Sequence, residues 1–95
     1  MSASNEKTLL VLARRDHAEA MRVAAGLTIF GHQVGLVFMT GPVAETPENA
    51  ANVELLELTG IAPQTTVAEM AADLPLLDAA ALALAMSSAD IVLSI

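Results

Sequence analysis

The side chains best suited to chemistry are concentrated in one short segment of this sequence. Arg14 and Arg15 are followed directly by Asp16 and His17. Two adjacent guanidinium groups can bind a phosphate or carboxylate, and the helix predicted to begin here presents free amides and a positive dipole end to the same ligand. The segment therefore predicts a site for a small anion or for a carboxylate of a partner subunit. The competing interpretation is that both arginines are solvated loop charges, or that they pair with Asp16 and Glu19.

Histidine offers a second possible chemistry, acid–base catalysis or hydrogen-bond donation. His17 lies in the first turn of the predicted helix, where a lone histidine is also commonly just exposed. His32 lies at the opposite end of that helix. At 1.5 Å per residue the two are separated by roughly 20 Å, so they cannot share a metal ion within one chain. We predict no metal site and no cofactor.

Several classes of active site are excluded by residue type. The chain has no cysteine, which removes disulfides, thiolate zinc sites and thiol catalysis. Gly26 and Gly31 do not form a dinucleotide-binding fingerprint, and no glycine-rich loop ends in Lys-Ser or Lys-Thr. The pair Ser87-Ser88 lacks the flanking glycines of a nucleophile elbow. We therefore assign no catalytic residue, and the balance favours a protein that is not an enzyme.

Charge is distributed unevenly along the chain. The net charge is −7, and the four basic residues, Lys7, Arg14, Arg15 and Arg22, all precede position 23, after which there are eight acids and no base. Nucleic acid is excluded as a partner because phosphate binding needs a basic surface. The acidic remainder fits a basic protein partner, or it simply keeps an apolar protein soluble.

Composition favours association with other subunits. Of the 95 residues 55% are hydrophobic and only 16% are charged, against roughly 25% charged in an average domain. So much apolar surface in one small domain (1–95) predicts a homo-oligomer, or a hetero-oligomer with related subunits. No run approaches the roughly 20 apolar residues of a membrane-spanning helix. Residues 1–7 show no hydrophobic signal region, so we expect a cytoplasmic location.

The basic segment is positioned by a predicted strand–helix–strand unit. Thr8–Leu12 and Val34–Met39 are short apolar runs without alternation, as expected of parallel strands buried on both faces. The helix between them begins at Asp16, with Glu19 three residues later as in a capping box, and it stops at Gly31. We expect both strands to lie in the interior of a sheet.

The second half of the chain completes an α/β fold. The pattern predicts a loop over 40–49, a helix over 50–59 closed by Gly60, a brief strand over 65–67, a short helical piece over 68–73, a helix over 75–87 and a strand over 90–95. The longer helix is expected to face the sheet with Leu76, Leu77, Ala80, Ala81 and Leu84. We expect the last strand to lie in the sheet or against a neighbouring chain. The result is a three-layer α/β/α sandwich with a mainly parallel sheet of about four to five strands.

Ligands of such sheets bind beyond the carboxyl ends of the strands. Here that edge includes residues from the loops after the first three strands: Ala13, Arg14, Arg15, Asp16 and His17, then Thr40, Gly41 and Pro42, then Ala68 and Glu69. From this set we select the candidate ligand-binding residues Arg14, Arg15, Asp16, His17, Thr40 and Gly41.

The stretch KTLLVLARRDHAEAMRVAAGLTIFGHQVGLVFMTGPV (7–43) resembles the DsrE/DsrF-like family, which includes the sulfur-relay subunits of the DsrEFH and TusBCD type. The resemblance rests on an opening strand, an alanine-rich helix, a Gly-His-x-Val return and the end of the second strand. The closing ADIVLSI (89–95) resembles the last strand of that group. The rest of the chain follows the family by element order only. The resemblance implies a DsrEFH-like fold and a tendency to form homo- or hetero-oligomers.

The chain departs from the family at its reactive position. Members that carry sulfur hold a persulfide on a cysteine that follows the third strand, at about the place of Val67, Ala68 and Glu69 here. Without cysteine no persulfide can form, because alanine and glutamate offer no nucleophilic sulfur. The resemblance then implies a partner role beside a thiol-bearing protein.

Two functional hypotheses follow. The first is a non-catalytic DsrE-like oligomeric subunit that assists sulfur-relay or sulfur-metabolism proteins without carrying sulfur itself. The second is a binding module for a small anion or small molecule, or an enzyme without thiol chemistry, that uses the loop after the first strand.

Overall fold

The computed structural model of the protein describes residues 7–95; the segment 1–6, which bears on the expected lack of a signal region, lies outside them. The strands are β1 (Thr8–Ala13), β2 (Gln33–Phe38), β3 (Gln64–Thr65) and β4 (Ile91–Ser94). The helices are α1 (His17–Ile29), α2 (Pro47–Thr59) and α3 (Ala79–Ser88), and a short 3₁₀ turn spans Ala68–Met70.

The four strands form one parallel sheet in the order β3-β2-β1-β4. β1 and β2 are therefore the interior strands, as their uninterrupted apolar runs predicted. β1 is buried from Leu9 to Ala13, each residue exposing 5% or less of its surface. The last strand, β4, pairs with β1 and occupies one edge of the sheet.

Helices cover both faces of the sheet. On one face α1 packs against β1 and β2, and α2 packs against α1. The core there consists of Val11, Ala13, Ala20, Met21, Ala24, Leu36, Phe38, Leu56 and Ile61. On the other face a smaller core of Leu10, Leu12 and Val37 is covered by α3 and the segment before it. The predicted three-layer α/β/α sandwich with a parallel sheet is confirmed.

Helix α1 begins and ends as its sequence predicted. Asp16 is the N-cap, and its Oδ1 accepts a hydrogen bond from the Glu19 amide at 3.0 Å. Gly31 follows the helix with a φ of 93°, a left-handed conformation that glycine adopts without steric cost. The buried face includes Ala20, Met21 and Ala24.

Helix α2 begins three residues earlier than predicted. The prediction of a loop through Asn49 was wrong because Thr46 is an N-cap: its hydroxyl accepts from the Asn49 amide at 3.1 Å. Pro47 occupies the first helical position, where its missing N–H costs nothing and its φ suits a helix. The helix closes at Gly60, which is left-handed as expected.

Helix α3 begins at Ala79, so the predicted start at Pro75 was wrong. The Pro75 carbonyl accepts from the Thr65 amide at 3.0 Å, and the Leu77 amide donates to the Thr65 carbonyl at 2.8 Å. These bonds hold residues 75–77 extended beside β3, with Thr65 and Leu76 forming a parallel bridge. The helix can start only after them, where Asp78 Oδ1 accepts from the Ala81 amide at 2.7 Å.

The later start also changes which side of α3 faces the sheet. The expected sheet-facing residues Leu76 and Leu84 are 52% and 68% exposed, and Ala80 is exposed as well. Leu77 does pack on the smaller core as predicted, and it is joined there by Leu82, Ala85 and Ala89. The strand expected over 65–67 is shorter and lies at Gln64–Thr65, while the helical piece expected over 68–73 is the 3₁₀ turn and a following turn.

Within residues 7–95, no helix has the length and apolar character needed to cross a bilayer.

The role of Asp78 as the helix cap can be tested by substitution. Asp78→Ala removes the acceptor for the Ala81 amide, and we expect it to lower the free energy of unfolding by about 1 kcal/mol in urea denaturation. Asp73→Ala removes the same charge from an exposed position outside any helix and should change stability by less than about 0.5 kcal/mol. Equal losses in the two variants would argue against a helix that begins at Ala79.

Candidate functional site

The loops after β1 and β2 meet at the carboxyl edge of the sheet. The Thr40 hydroxyl donates to the Arg14 carbonyl at 2.8 Å, and the Met39 amide donates to the Ala13 carbonyl at 3.0 Å. Arg14 and Thr40, two of the candidate ligand-binding residues, are therefore in direct contact. It is a contact between a side chain and the backbone, which leaves the Arg14 side chain unconstrained by it.

The backbone amides of both arginines are already used. The Arg14 and Arg15 N–H groups donate to the Ile95 carbonyl at 2.8 and 2.9 Å. The Arg14 guanidinium lies 3.5 Å from the Ser94 hydroxyl, at the outer limit of a hydrogen bond. The guanidinium groups of both arginines are exposed and can contact a ligand at this loop.

His17 joins the start of α1 to the end of β2. Its Nε2 lies 3.1 Å from the Met39 carbonyl. A carbonyl can only accept, so this bond requires the proton on Nε2. The ring also contacts Phe38 edge to face, with centroids 5.6 Å apart and planes at 83°. These contacts give the half-buried imidazole a structural role in positioning α1.

The carboxylates near the arginines have internal partners. Asp16 is committed to capping α1 and places its negative charge where an anion would bind the helix end. Arg22 pairs with Glu19 and lies 3.9 Å from Glu48. The hydrogen bond that Arg22 donates to the Glu19 carboxylate, and then the negative charge of that carboxylate, raise the pKa of Arg22. The positive charge of Arg22 is therefore balanced by the neighbouring carboxylates of Glu19 and Glu48.

Thr40 has a φ of 81°, a left-handed conformation that is uncommon for a residue other than glycine. Such a backbone costs about 1–3 kcal/mol and persists only where the surroundings hold it in place. The bond from the Thr40 hydroxyl to Arg14 is one such restraint. Gly41, the next candidate residue, is half-buried directly after this turn.

The position after β3, where the resemblance led us to expect the reactive residue, lies apart from the arginines. β2 separates β3 from β1, so the residues after β3 lie about 10 Å from those after β1 by strand spacing alone. Ala68 and Glu69 are exposed in the 3₁₀ turn. The nearby Thr65 hydroxyl donates to the Phe38 carbonyl and accepts from the Val67 amide, so it is committed to structure.

No three His, Asp or Glu side chains of residues 7–95 come together as metal ligands. His32 lies at the opposite edge of the sheet from His17, where its Nδ1 is 3.2 Å from the Lys7 amide. The two histidines are at opposite ends of α1, as the sequence predicted.

A groove that the sequence analysis did not identify lies beyond β2. It has a volume of about 520 Å³ and is lined by Val43, Ala44, Glu45, Thr46, Pro47, Asn49, Ala50 and Val53. The segment 43–46 forms one wall and the first two turns of α2 form the other. The Thr46-Pro47 capping signal could have indicated it, because an earlier helix start places these residues opposite the loop.

Comparison of the chain with protein-family models, with curated proteins and with solved structures finds no significant match. These comparisons give no role for the candidate residues at the carboxyl edge, and their ligand-binding role stays a prediction.

The restraint at Thr40 can be tested with an isosteric change. Thr40→Val keeps the side-chain shape and removes the hydroxyl, so the Arg14 carbonyl loses its bond and the strained backbone loses its anchor. We expect a loss of about 1 kcal/mol in the free energy of unfolding.

Thr66→Val is the matched control, because within the described part of the chain the Thr66 hydroxyl makes no hydrogen bond. Denaturant unfolding of both variants should show a clear loss for Thr40→Val alone. A Thr40→Val protein as stable as the wild type would show that the hydroxyl does not hold this turn.

Proposed function

We propose that the protein is a non-catalytic assembly subunit that associates with copies of itself or with related subunits. The observation that carries the proposal is an exposed apolar surface on α3, formed by Ala80, Ala83, Leu84, Met86 and Ser87, which we term the neutral surface. Leu84 is 68% and Met86 40% exposed.

Charge supports this surface as the contact between acidic subunits. The eleven residues 79–89 include no charged side chain, although the chain carries a net charge of −7. The two flanking acids have internal partners: Asp78 caps α3, and Asp90 Oδ2 accepts from the Thr8 amide at 2.8 Å. Two copies that meet at the neutral surface avoid the like-charge repulsion that they would meet elsewhere.

The area that a stable interface must bury determines whether α3 alone could form the contact. A stable interface usually buries about 800 Å² of each partner. A helix of ten residues is about 15 Å long, so α3 alone is small for such an interface. β4 follows α3 along the chain, has a free edge within residues 7–95 and exposes 45% of Ile91. We propose that it contributes to the contact.

The more specific part of the proposal concerns the partner. Resemblance to the DsrE/DsrF-like family supports a DsrE-like subunit that assists a sulfur-relay protein, and the absence of cysteine supports a role that does not include carrying sulfur. On this proposal the thiol belongs to the partner. The acidic remainder of the chain favours a partner with a basic face.

Assembly is tested by sedimentation velocity at micromolar concentration. The wild type should sediment as an oligomer, and Leu84→Glu should be monomeric, because a charge in the centre of a symmetric apolar contact faces its own copy and costs several kcal/mol. Leu58→Glu is the matched control, since Leu58 is 81% exposed on α2 and lies outside the neutral surface. A wild type that is monomeric without partner would contradict self-association, and equal dissociation of both variants would contradict the assignment to α3.

A binding module for a small anion is the second candidate function. The observation in its favour is that Arg14 and Arg15 are exposed and, among residues 7–95, have no carboxylate partner, whereas Arg22 is paired.

Thermal unfolding in inorganic phosphate tests this candidate. Ligand binding to the folded state should raise the melting temperature of the wild type, and the Arg14→Ala/Arg15→Ala double variant should lose that increase. Arg22→Ala should retain it, because its guanidinium is already paired with Glu19. An identical increase in the wild type and the double variant would rule out this loop as the anion site.

A further inference from the structure

The groove beyond β2 has a wall that is held in place by hydrogen bonds. The Ala44 carbonyl accepts from the Thr46 amide at 3.1 Å and from Asn49 Nδ2 at 2.8 Å. The Thr46 hydroxyl in turn accepts from the Asn49 amide. These three bonds tie the loop to the first turn of α2. Because the two walls are connected in this way, the groove is a preformed feature, and its volume of about 520 Å³ lies within the range of small-molecule sites.

Most of the lining is apolar. Val43, Ala44, Pro47, Ala50 and Val53 supply hydrocarbon surface, and Val53 is 42% exposed. An apolar body in the groove would cover this surface and remove it from water, which is favourable at about 25 cal/mol per Å².

The charge of the groove favours a cation. Glu45 places an exposed carboxylate in the lining, and no basic side chain lines the groove. A positively charged group beside this carboxylate gains a favourable charge interaction.

The N-terminus of α2 does not reverse this preference for a positively charged ligand. A helix N-terminus attracts anions through its free amides, but Pro47 has no N–H and the Asn49 amide is capped by Thr46. The carboxylates of Glu45 and Glu48 both lie at this end of the helix. Their full charges outweigh the partial charge of the helix terminus.

We propose that this groove binds a small apolar molecule that carries a protonated amine. The hydrocarbon part lies against Ala50 and Val53, and the ammonium group lies beside the Glu45 carboxylate. The groove is separate from the loop that carries Arg14 and Arg15 and from the neutral surface, so this proposal depends on neither proposed function.

Three probes of equal length separate charge from apolar contact: hexylamine, hexan-1-ol and hexanoate at pH 7, where the amine is protonated and the acid ionised. Binding is followed by amide chemical shifts in ¹H–¹⁵N spectra. We expect shifts in residues 43–53, with hexylamine binding most tightly and hexanoate least. Glu45→Gln should weaken hexylamine about two- to fivefold, the range of an exposed charge pair, and leave hexan-1-ol unchanged.

Two substitutions on one helix test the location. Ala50→Phe places a ring in the groove and should abolish hexylamine binding. Ala51→Phe makes the same change at an exposed position of α2 outside the groove lining and should leave binding intact. Because both positions are exposed, both variants are expected to fold, which their spectra will show directly.

Several outcomes would overturn the proposal. Hexanoate binding as tightly as hexylamine would show that the groove does not select a cation. Equal effects of the two phenylalanine variants, or shifts centred outside residues 43–53, would place binding elsewhere. Absence of any saturable shift with hexylamine would show that the groove is not a binding site for this class of molecule.

Discussion

The parallel pairing of β1 with β2 is the interaction on which the rest of the structure depends. Both strands are buried in the sheet, and the register Ala13 to Phe38 brings their carboxyl ends level. The contacts between the loop after β1 and the end of β2 follow from this alignment, because Thr40 can reach Arg14, and His17 the Met39 carbonyl, only when the two strands end together. The contact of His17 with Met39 also ties the first turn of α1 to the end of β2.

The parts of the fold that could be predicted are those in which a local sequence signal coincides with burial. The apolar runs of β1 and β2, and the Asp16 and Gly31 boundaries of α1, are signals of this kind. The start of α3 is different. Pro75 suits a first helical turn and Asp78 suits an N-cap, and the choice between them is made by bonds to Thr65, ten residues earlier in the chain. A contact of that kind is tertiary, and no local pattern contains it. The sheet-facing side of α3 could not be predicted either, because Leu82 and Leu84 are equally apolar and the helix has no polar side.

The candidate site also combines features that the sequence predicted with features that depend on tertiary contacts. Strand order alone brings Arg14 and Thr40 to one edge, which is the part that the sequence predicted. The Ile95 carbonyl takes up both arginine amides because β4 lies beside β1, and the order of elements along the chain would equally have allowed β4 to lie beside β3. The two arginine amides, the Asp16 carboxylate and the His17 ring are all engaged in internal bonds, so much of this edge is stabilised as structure, and the Arg14 and Arg15 side chains are exposed beside it.

The composition of α3 connects the fold to assembly. Covering one face of a sheet requires an apolar stripe on one side of a helix, and a charged opposite side would favour solubility. α3 meets the first requirement with Leu82, Ala85 and Ala89, yet its outer side is also free of charge. Single exposed apolar residues are ordinary in proteins. The eleven consecutive residues 79–89 carry no charge in a chain with a net charge of −7, and those on the outer side of α3, such as Leu84, do not belong to the core. The contact with another subunit that we propose would account for both the missing charge and the exposed leucine.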